Sequence, residues 1–437
     1  MSLFYKRLSR LLTGSLLAAA TSPMVLAQGL GNSPYSALGL GEPYTQANVT
    51  NLGMGGLGIS NSNPFNLNLQ NPALLGTRPP YTLFEVGLLG QSKAISQNIT
   101  NTRQTQRDFG GNLGYLALAF PANSRWTMSL SLRPSTYVDY QTRQYAQVEG
   151  TIYEAEYNYT GRGGLNKASF ASGFRVGKNI YVGAEASYLF GNVTNTSDSR
   201  VLINDAATGI QDVRIARINR INYSDVVWRL GAAWRPKLGT DWTLNIGATL
   251  DPRTRANARE TDIYQQVSLA GTNISAADTL RVNSAGKATL PQQANFGISI
   301  ERNNKLLVGV DVGVQQWSQY RTITDQPASL NNGYTMSAGL EYTPKYNSTK
   351  YWDLVSYRAG FQYNRLPYLV DGARINDVSG SVGLSLPIGA FLVNRINIAF
   401  IGGQRGALAG TQIREQYLRF ALGFSLTDRW FRKPVID

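Results

Sequence analysis

The last stretch of the chain, Glu415 to Leu426 (EQYLRFALGFSL), places Leu418, Phe420, Leu422, Phe424 and Leu426 on one side. Tyr417, Arg419, Ala421, Gly423 and Ser425 fall on the other. Successive side chains of a strand point to opposite faces, so this segment is apolar on one face and small or polar on the other. At roughly 10 residues it is long enough to cross a bilayer when tilted. The pattern recurs. Trp126, Met128, Leu130 and Leu132 oppose Thr127, Ser129, Ser131 and Arg133, and Val308, Val310, Val312 and Val314 oppose Gly309, Asp311, Gly313 and Gln315. Such runs predict strands near 81–97, 110–121, 126–139, 165–175, 179–196, 220–235, 241–256, 291–302, 305–320, 333–343, 355–367, 377–387, 393–407 and 414–427. The even number is what a closed bacterial barrel requires, and the expected fold is an all-β transmembrane antiparallel barrel of about 14 strands.

The connections support this. Short turns at 121–125, 175–179, 235–241, 301–305 and 387–393 alternate with long polar links at 98–109, 140–164, 197–219, 257–290, 321–332 and 368–376. That is the pattern of short periplasmic turns and long outer loops. The link Thr343–Leu354 is long for a periplasmic turn. Trp126, Trp228, Trp234, Trp242, Trp317 and Trp430 fall where membrane interfaces are expected. A mean hydropathy of −0.21 is too polar for a bundle of membrane helices and fits a barrel, in which only alternate residues meet lipid.

Ahead of the strands, Lys6, Arg7 and Arg10 precede an apolar stretch from Leu11 to Leu26 and a small-residue site at Val25-Leu26-Ala27. This reads as an export signal over 1–27 with a mature start near Gln28 and an address in the outer membrane. Residues 28–80 are rich in Gly, Asn and Pro but carry Met54, Leu57, Ile59, Phe65, Leu67, Leu69 and Leu74. That is too much apolar surface for a linker, and an N-terminal plug (hatch) inside the lumen would bury it. The glycines of Gly53-Met-Gly-Gly-Leu-Gly58 suit backbone in unusual conformations or in close contact with a neighbouring surface. The barrel would then occupy 81–427 and a periplasmic tail 428–437. Losing the three signal cations takes the net charge from +14 to +11, which suits solvated loops or contact with lipid phosphates and lipopolysaccharide; no nucleic-acid partner is expected.

The chain has no His and no Cys, so Ser-His-Asp and Cys-His nucleophilic systems are excluded, along with disulfides. No paired carboxylates stand out for glycoside chemistry; Glu154 and Glu156 read as a solvated face. Gly53–Gly58 lacks the strand, helix and Lys of a phosphate loop. No enzyme, no catalytic or metal-ligating set and no cofactor are expected. Pro134 interrupts the third strand beside Arg133 and cannot donate to a ladder, so it marks either a lateral gap in the wall or a bulge that shapes a loop. Arg214, Arg217 and Arg220, leading into the sixth strand, are either a solvated loop stem or contacts for anionic groups.

Gly53-Met-Gly-Gly-Leu-Gly58, Asn71-Pro-Ala-Leu74 and Phe84-Glu-Val-Gly87 together resemble the long-chain fatty-acid outer-membrane transporter family of FadL/TodX type. Asn32-Ser-Pro-Tyr-Ser36 and Trp430-Phe-Arg-Lys433 look like its divergent Bacteroidetes-type branch. The resemblance implies a fourteen-stranded barrel plugged by a hatch carrying Asn71, Pro72 and Ala73, with lateral exit at a third-strand kink placed at Arg133 and Pro134. It implies passive uptake of hydrophobic small molecules such as long-chain fatty acids, with capture near the outer loops and movement of the hatch. Barrels resembling this family also serve as docking or assembly partners in protein secretion or surface attachment without transport, and that alternative stays open.

Overall fold

The computed structural model describes residues 30–99, 102–202, 213–268, 278–303, 305–370, 372–389, 393–409 and 412–428. The proposed export signal and the Trp430–Lys433 motif lie outside these residues. Fourteen antiparallel strands close into a barrel. They are β1 (Thr82–Ile99), β2 (Thr102–Asn123), β3 (Trp126–Gln147), β4 (Glu154–Arg175), β5 (Ile180–Leu202) and β6 (Val213–Trp234). Next come β7, in two pieces (Trp242–Asp251 and Thr254–Ser268), and β8, likewise split (Asp278–Leu290 and Gln293–Arg302). The rest are β9 (Leu306–Gln315), β10 (Gly333–Tyr342), β11 (Ser356–Val370), β12 (Ala373–Ile388), β13 (Asn394–Arg405) and β14 (Arg414–Asp428). The terminal strand closes the ring on the first, from Arg414 opposite Ser96 to Asp428 opposite Thr82.

Alternation decides which side chain meets which medium. On β9, Val308, Val310 and Val312 are each 42% exposed, while Leu307, Gly309 and Asp311 on the alternate face are buried. On β14, Leu418, Phe420 and Leu426 face out, and Tyr417, Ala421 and Ser425 face a filled lumen. The exposed residues make the apolar belt of an outer-membrane-type barrel. Trp228 and Trp234 belong to it, and Trp126 stacks on Phe174 at 5.2 Å. Trp317 does not. β9 ends at Gln315, the chain turns inward, and Trp317 is buried with its indole N–H on Gln315.

The long polar links of the sequence reading are mostly strand. β3, β4 and β6 span 22 residues and β5 spans 23, against the roughly 9–11 needed to cross a bilayer. Above the apolar belt these strands continue as a paired crown, with Tyr137–Gln147 opposite Gly164–Glu154. Both crown faces carry polar residues, so the alternation that marks a wall strand is lost, but an antiparallel ladder needs only main-chain partners. The base of the crown is a line of breaks across neighbouring strands. It runs through the bulge between Pro134 and Thr136, Gly163 and Gly164, Gly191, the Pro252 interruption of β7 and the Pro291 interruption of β8.

The β2–β3 ladder is the shortest in this part of the wall. It runs from Asn123–Trp126 only to Leu116–Leu132, and above that level β2 pairs with β1 alone and β3 with β4. A lateral slit results between the upper halves of β2 and β3. The segment before β1 threads the lumen and lays a two-residue strand, Glu42–Pro43, against Tyr137 and Thr136 at this slit.

Candidate functional site

The plug is built from short capped elements. Asn48 caps the helix Val49–Leu52, its Oδ1 accepting from the Asn51 N–H at 2.9 Å. The chain then turns through Gly55 and Gly56, both at positive φ, a conformation that glycine adopts without a steric penalty. Asn71 caps the 3-10 helix Pro72–Thr77 by accepting from the Ala73 N–H at 3.0 Å, and Pro72 opens that helix where no N–H is needed. The Asn71 amide also donates to Ile59 O at 2.9 Å and to Ala232 O of β6 at 3.2 Å. Asn71 and Ala73 are fully buried. The trio Asn71, Pro72 and Ala73 thus joins the plug's two halves to the wall.

The wall receives the plug on glycines. A Cβ at Gly183 would lie 2.5 Å from Pro72 C, one at Gly339 would lie 2.6 Å from Met54 O, and one at Gly360 would overlap the Met54–Gly55 peptide. Gly247 meets the Ile59 carbonyl and Gly383 meets the Gly53 Cα in the same way. Backbone therefore rests on backbone around the barrel, and Met54, Leu57 and Leu67 have no exposed surface. Each such side chain contributes about 1.5–3 kcal/mol by burial.

Polar ties reinforce the seat. Asp311 accepts from the N–H groups of Gly58 and Ile59 at 2.7 and 2.8 Å, and Glu85 accepts from Leu67 N at 2.8 Å. Arg133 donates to Leu69 O at 2.7 Å and pairs with Glu185 at 2.6 Å. Burial pushes the Arg78 guanidinium down to about 10 while its Nη1 holds Asn66 O at 2.6 Å.

A buried ionic clip holds the segment at the slit. Arg405 meets Glu42 at 2.7 Å, Asp377 at 3.1 Å and Glu415 at 3.2 Å, and Lys93 lies 3.8 Å from Glu42 and 3.7 Å from Glu415. Ser33 donates to Glu415 at 2.6 Å, and Tyr417 to Asp377 at 2.7 Å. Burial alone would raise the Glu42 carboxyl, but Arg405 and Lys93 outweigh it and hold the group well below the usual carboxylate range. A depressed carboxylate stabilises the fold above its unfolded pKa, and that contribution fades only as pH falls through the folded value. The Glu42 contacts are therefore expected to persist from about pH 7 to about pH 5, above the ordinary glutamate range. Spin-label distances between positions 38 and 141 should not change over that interval.

Above the plug lies a cavity of about 310 Å³. Leu40, Leu165, Leu189 and Trp317 line part of it, but so do Lys167, Glu185, Arg229, Asp251, Asp311, Asp377, Arg405 and Arg419. Arg229 grips Asp251 through two bonds of 2.6 Å. Among the described residues, no group of His, Cys, Asp and Glu is arranged to hold a metal ion.

Arg214, Arg217 and Arg220 sit within β6, not on a loop stem. Arg214 pairs with Asp198 at 3.1 Å and lies 3.7 Å from Glu156, while Arg217 holds Asp262 through two bonds of 3.1 and 2.7 Å. Arg220 donates to Thr194 at 3.3 Å. Glu156, read as one of a solvated pair, instead gathers Arg143, Arg200 and Arg214. The clip itself had no sequence signal, because Glu42, Lys93, Asp377, Arg405 and Glu415 are scattered along the chain. A charge at a lumen position of an apolar strand, as at Arg405, is the nearest thing to one.

Solved structures share this architecture. The toluene transporter TodX of Pseudomonas putida superposes with a TM-score of 0.58 at 14% identity, over 89% of this chain and 100% of that one. The toluene transporter TbuX of Ralstonia pickettii gives 0.54 at 16% identity, covering 87% and 98%. A FadL homologue of Pseudomonas aeruginosa gives 0.54 at 15%, covering 89% and 100%. The FadL/TodX-type fold read from the plug motifs is borne out; identities this low speak for fold alone. No curated protein sequence matches the chain. The sequence model of one family, BamG, matches residues 10–437, and the chain belongs to the BamG family.

Proposed function

We propose that this protein is a sealed outer-membrane barrel that serves as a docking or assembly partner of the Bam machinery, and not a hydrocarbon channel. The observation that carries this reading is the character of the lumen. A site for hydrophobic small molecules is lined mainly by apolar side chains. Here ion pairs share the lining of the free volume with apolar residues such as Leu40, Leu165, Leu189 and Trp317, and an alkane or acyl chain would strip those pairs of polar contacts without replacing them. The plug below it is seated backbone-to-backbone, which favours a fixed part over a moving gate. The family's Bam designation supplies the partner, and the tall polar crown supplies surface for it.

Uptake of labelled alkane or fatty acid tests the reading in cells expressing wild type, Pro134→Ala or a deletion of residues 28–80, with surface expression matched. Wild type and Pro134→Ala are expected to take up no more than vector alone, and only the plug deletion to leak. Saturable uptake by wild type that falls in Pro134→Ala would instead support lateral exit beside Arg133 and Pro134, the second reading that the slit keeps in play.

A further inference from the structure

From the slit between β2 and β3 we infer a strand-accepting site, which takes an extended, acid-bearing segment of a partner polypeptide by main-chain pairing. The inference rests on the partner reading above and names how the partner is held. Above Leu116 and Leu132 the two strands share no ladder, so each turns an unpaired edge to the slit. The lower part of the β3 edge is already used in this way by the chain itself. Tyr44 N–H donates to Ser135 O at 2.9 Å, and Ser33 N–H donates to Asp139 O at 2.7 Å. Asp139 N–H donates to Ser36 Oγ at 3.0 Å, and Gln141 N–H donates to Asn32 Oδ1 at 3.2 Å.

The edge groups therefore belong to residues 135, 139 and 141, and the same parity gives Arg143 and Tyr145 to the open edge. Among the described residues the chain's own cover reaches no further along this edge than Asn32, whose N–H crosses to the Asp108 carboxylate of β2. Beyond it, among the described residues, nothing pairs with Arg143 and Tyr145 on this side, and Thr102–Arg107 of β2 are exposed across the gap. An edge of this kind is a template for one more strand, the mode of recognition in which main-chain bonds give affinity. Arg143 on the β3 lip is already paired with Glu156 at 3.0 Å, so the charge the lips offer is that of Arg103 and Arg107, with Gln104, Gln106, Gln144 and Gln147 alongside. Their charge selects a segment carrying Asp or Glu.

The test compares the purified protein with the assembly captured from solubilised native outer membrane through a C-terminal tag. Amide exchange is read on peptides spanning 141–147. Exchange there should slow by about tenfold or more in the assembly while the rest of β3 is unchanged. Tyr145→Pro removes a donor from the open edge without touching the β3–β4 ladder, and should cut partner recovery by about tenfold. If that variant fails to give a heat-modifiable barrel, Arg103→Glu with Arg107→Glu, both at exposed positions, should give the same loss. Equal exchange in the two states, or full partner recovery by both variants, overturns the inference and leaves the partner reading standing. Capture of the chain with no partner at all removes both.

Discussion

Arg405→Met is expected to be the most damaging single substitution in the lumen. It would leave the Glu42, Asp377 and Glu415 carboxylates gathered with only Lys93 to offset them. Breaking a buried ionic group by removing one partner costs about 3–5 kcal/mol, because the remaining charges are left uncompensated in a poor solvent. The barrel should lose its compact, heat-modifiable form at a lower temperature, and the segment Ser33–Tyr44 should leave the slit. Arg405→Lys keeps the charge but cannot serve three carboxylates with a planar fork, so an intermediate loss is expected. The exposed pair Arg302–Asp241, at 3.7 Å, is the control, and Arg302→Met should change stability by no more than about 0.5 kcal/mol. Similar thermal shifts for Arg405→Met and Arg302→Met would remove the clip from the account.

Gly360→Ala should unseat the plug although it adds a single methyl group. That methyl would overlap the Met54–Gly55 peptide, and backbone on both sides leaves no flexible side chain to give way. Overpacking of this sort costs about 3 kcal/mol or more. Gly380 and Gly402, on neighbouring strands of the same barrel, have nothing within 4 Å of a built Cβ, so Gly380→Ala and Gly402→Ala should be silent. Limited proteolysis within residues 53–59, measured on folded barrels, separates the two classes. Cleavage in Gly360→Ala alone is the expected result, and equal resistance in all three would mean that the glycine seat does not hold the plug.

The wall was legible in the sequence because lipid on one side and a packed lumen on the other impose period-two alternation, as in Val308–Val314. Asn71-Pro72-Ala73 was legible only as a motif of the family resemblance; that Asn71 caps the 3-10 helix Pro72–Thr77 and ties it to β6 came from the structure. The crown was not. Residues 140–164 and 197–219 have polar residues on both faces, so nothing in their hydrophobicity separates a strand from a loop. The kink residue Pro134 was visible, but the slit beside it is a property of β2 and β3 together, set by where their ladder stops at Leu116 and Leu132. The clip was invisible for the same reason: its five charges meet only once the barrel closes. Of the three arginines that the sequence left as a loop stem or as anion contacts, Arg214 and Arg217 have internal carboxylates, which only the register of β5, β6 and β7 brings alongside.

The most direct test of the central claim is the stoichiometry of what accompanies the tagged protein out of its own outer membrane in mild detergent. A sealed partner barrel predicts Bam machinery components at near-equimolar ratio, retained through gel filtration and lost in the clip variant Arg405→Met. Recovery of the wild-type barrel alone, folded and with its plug in place, would contradict it.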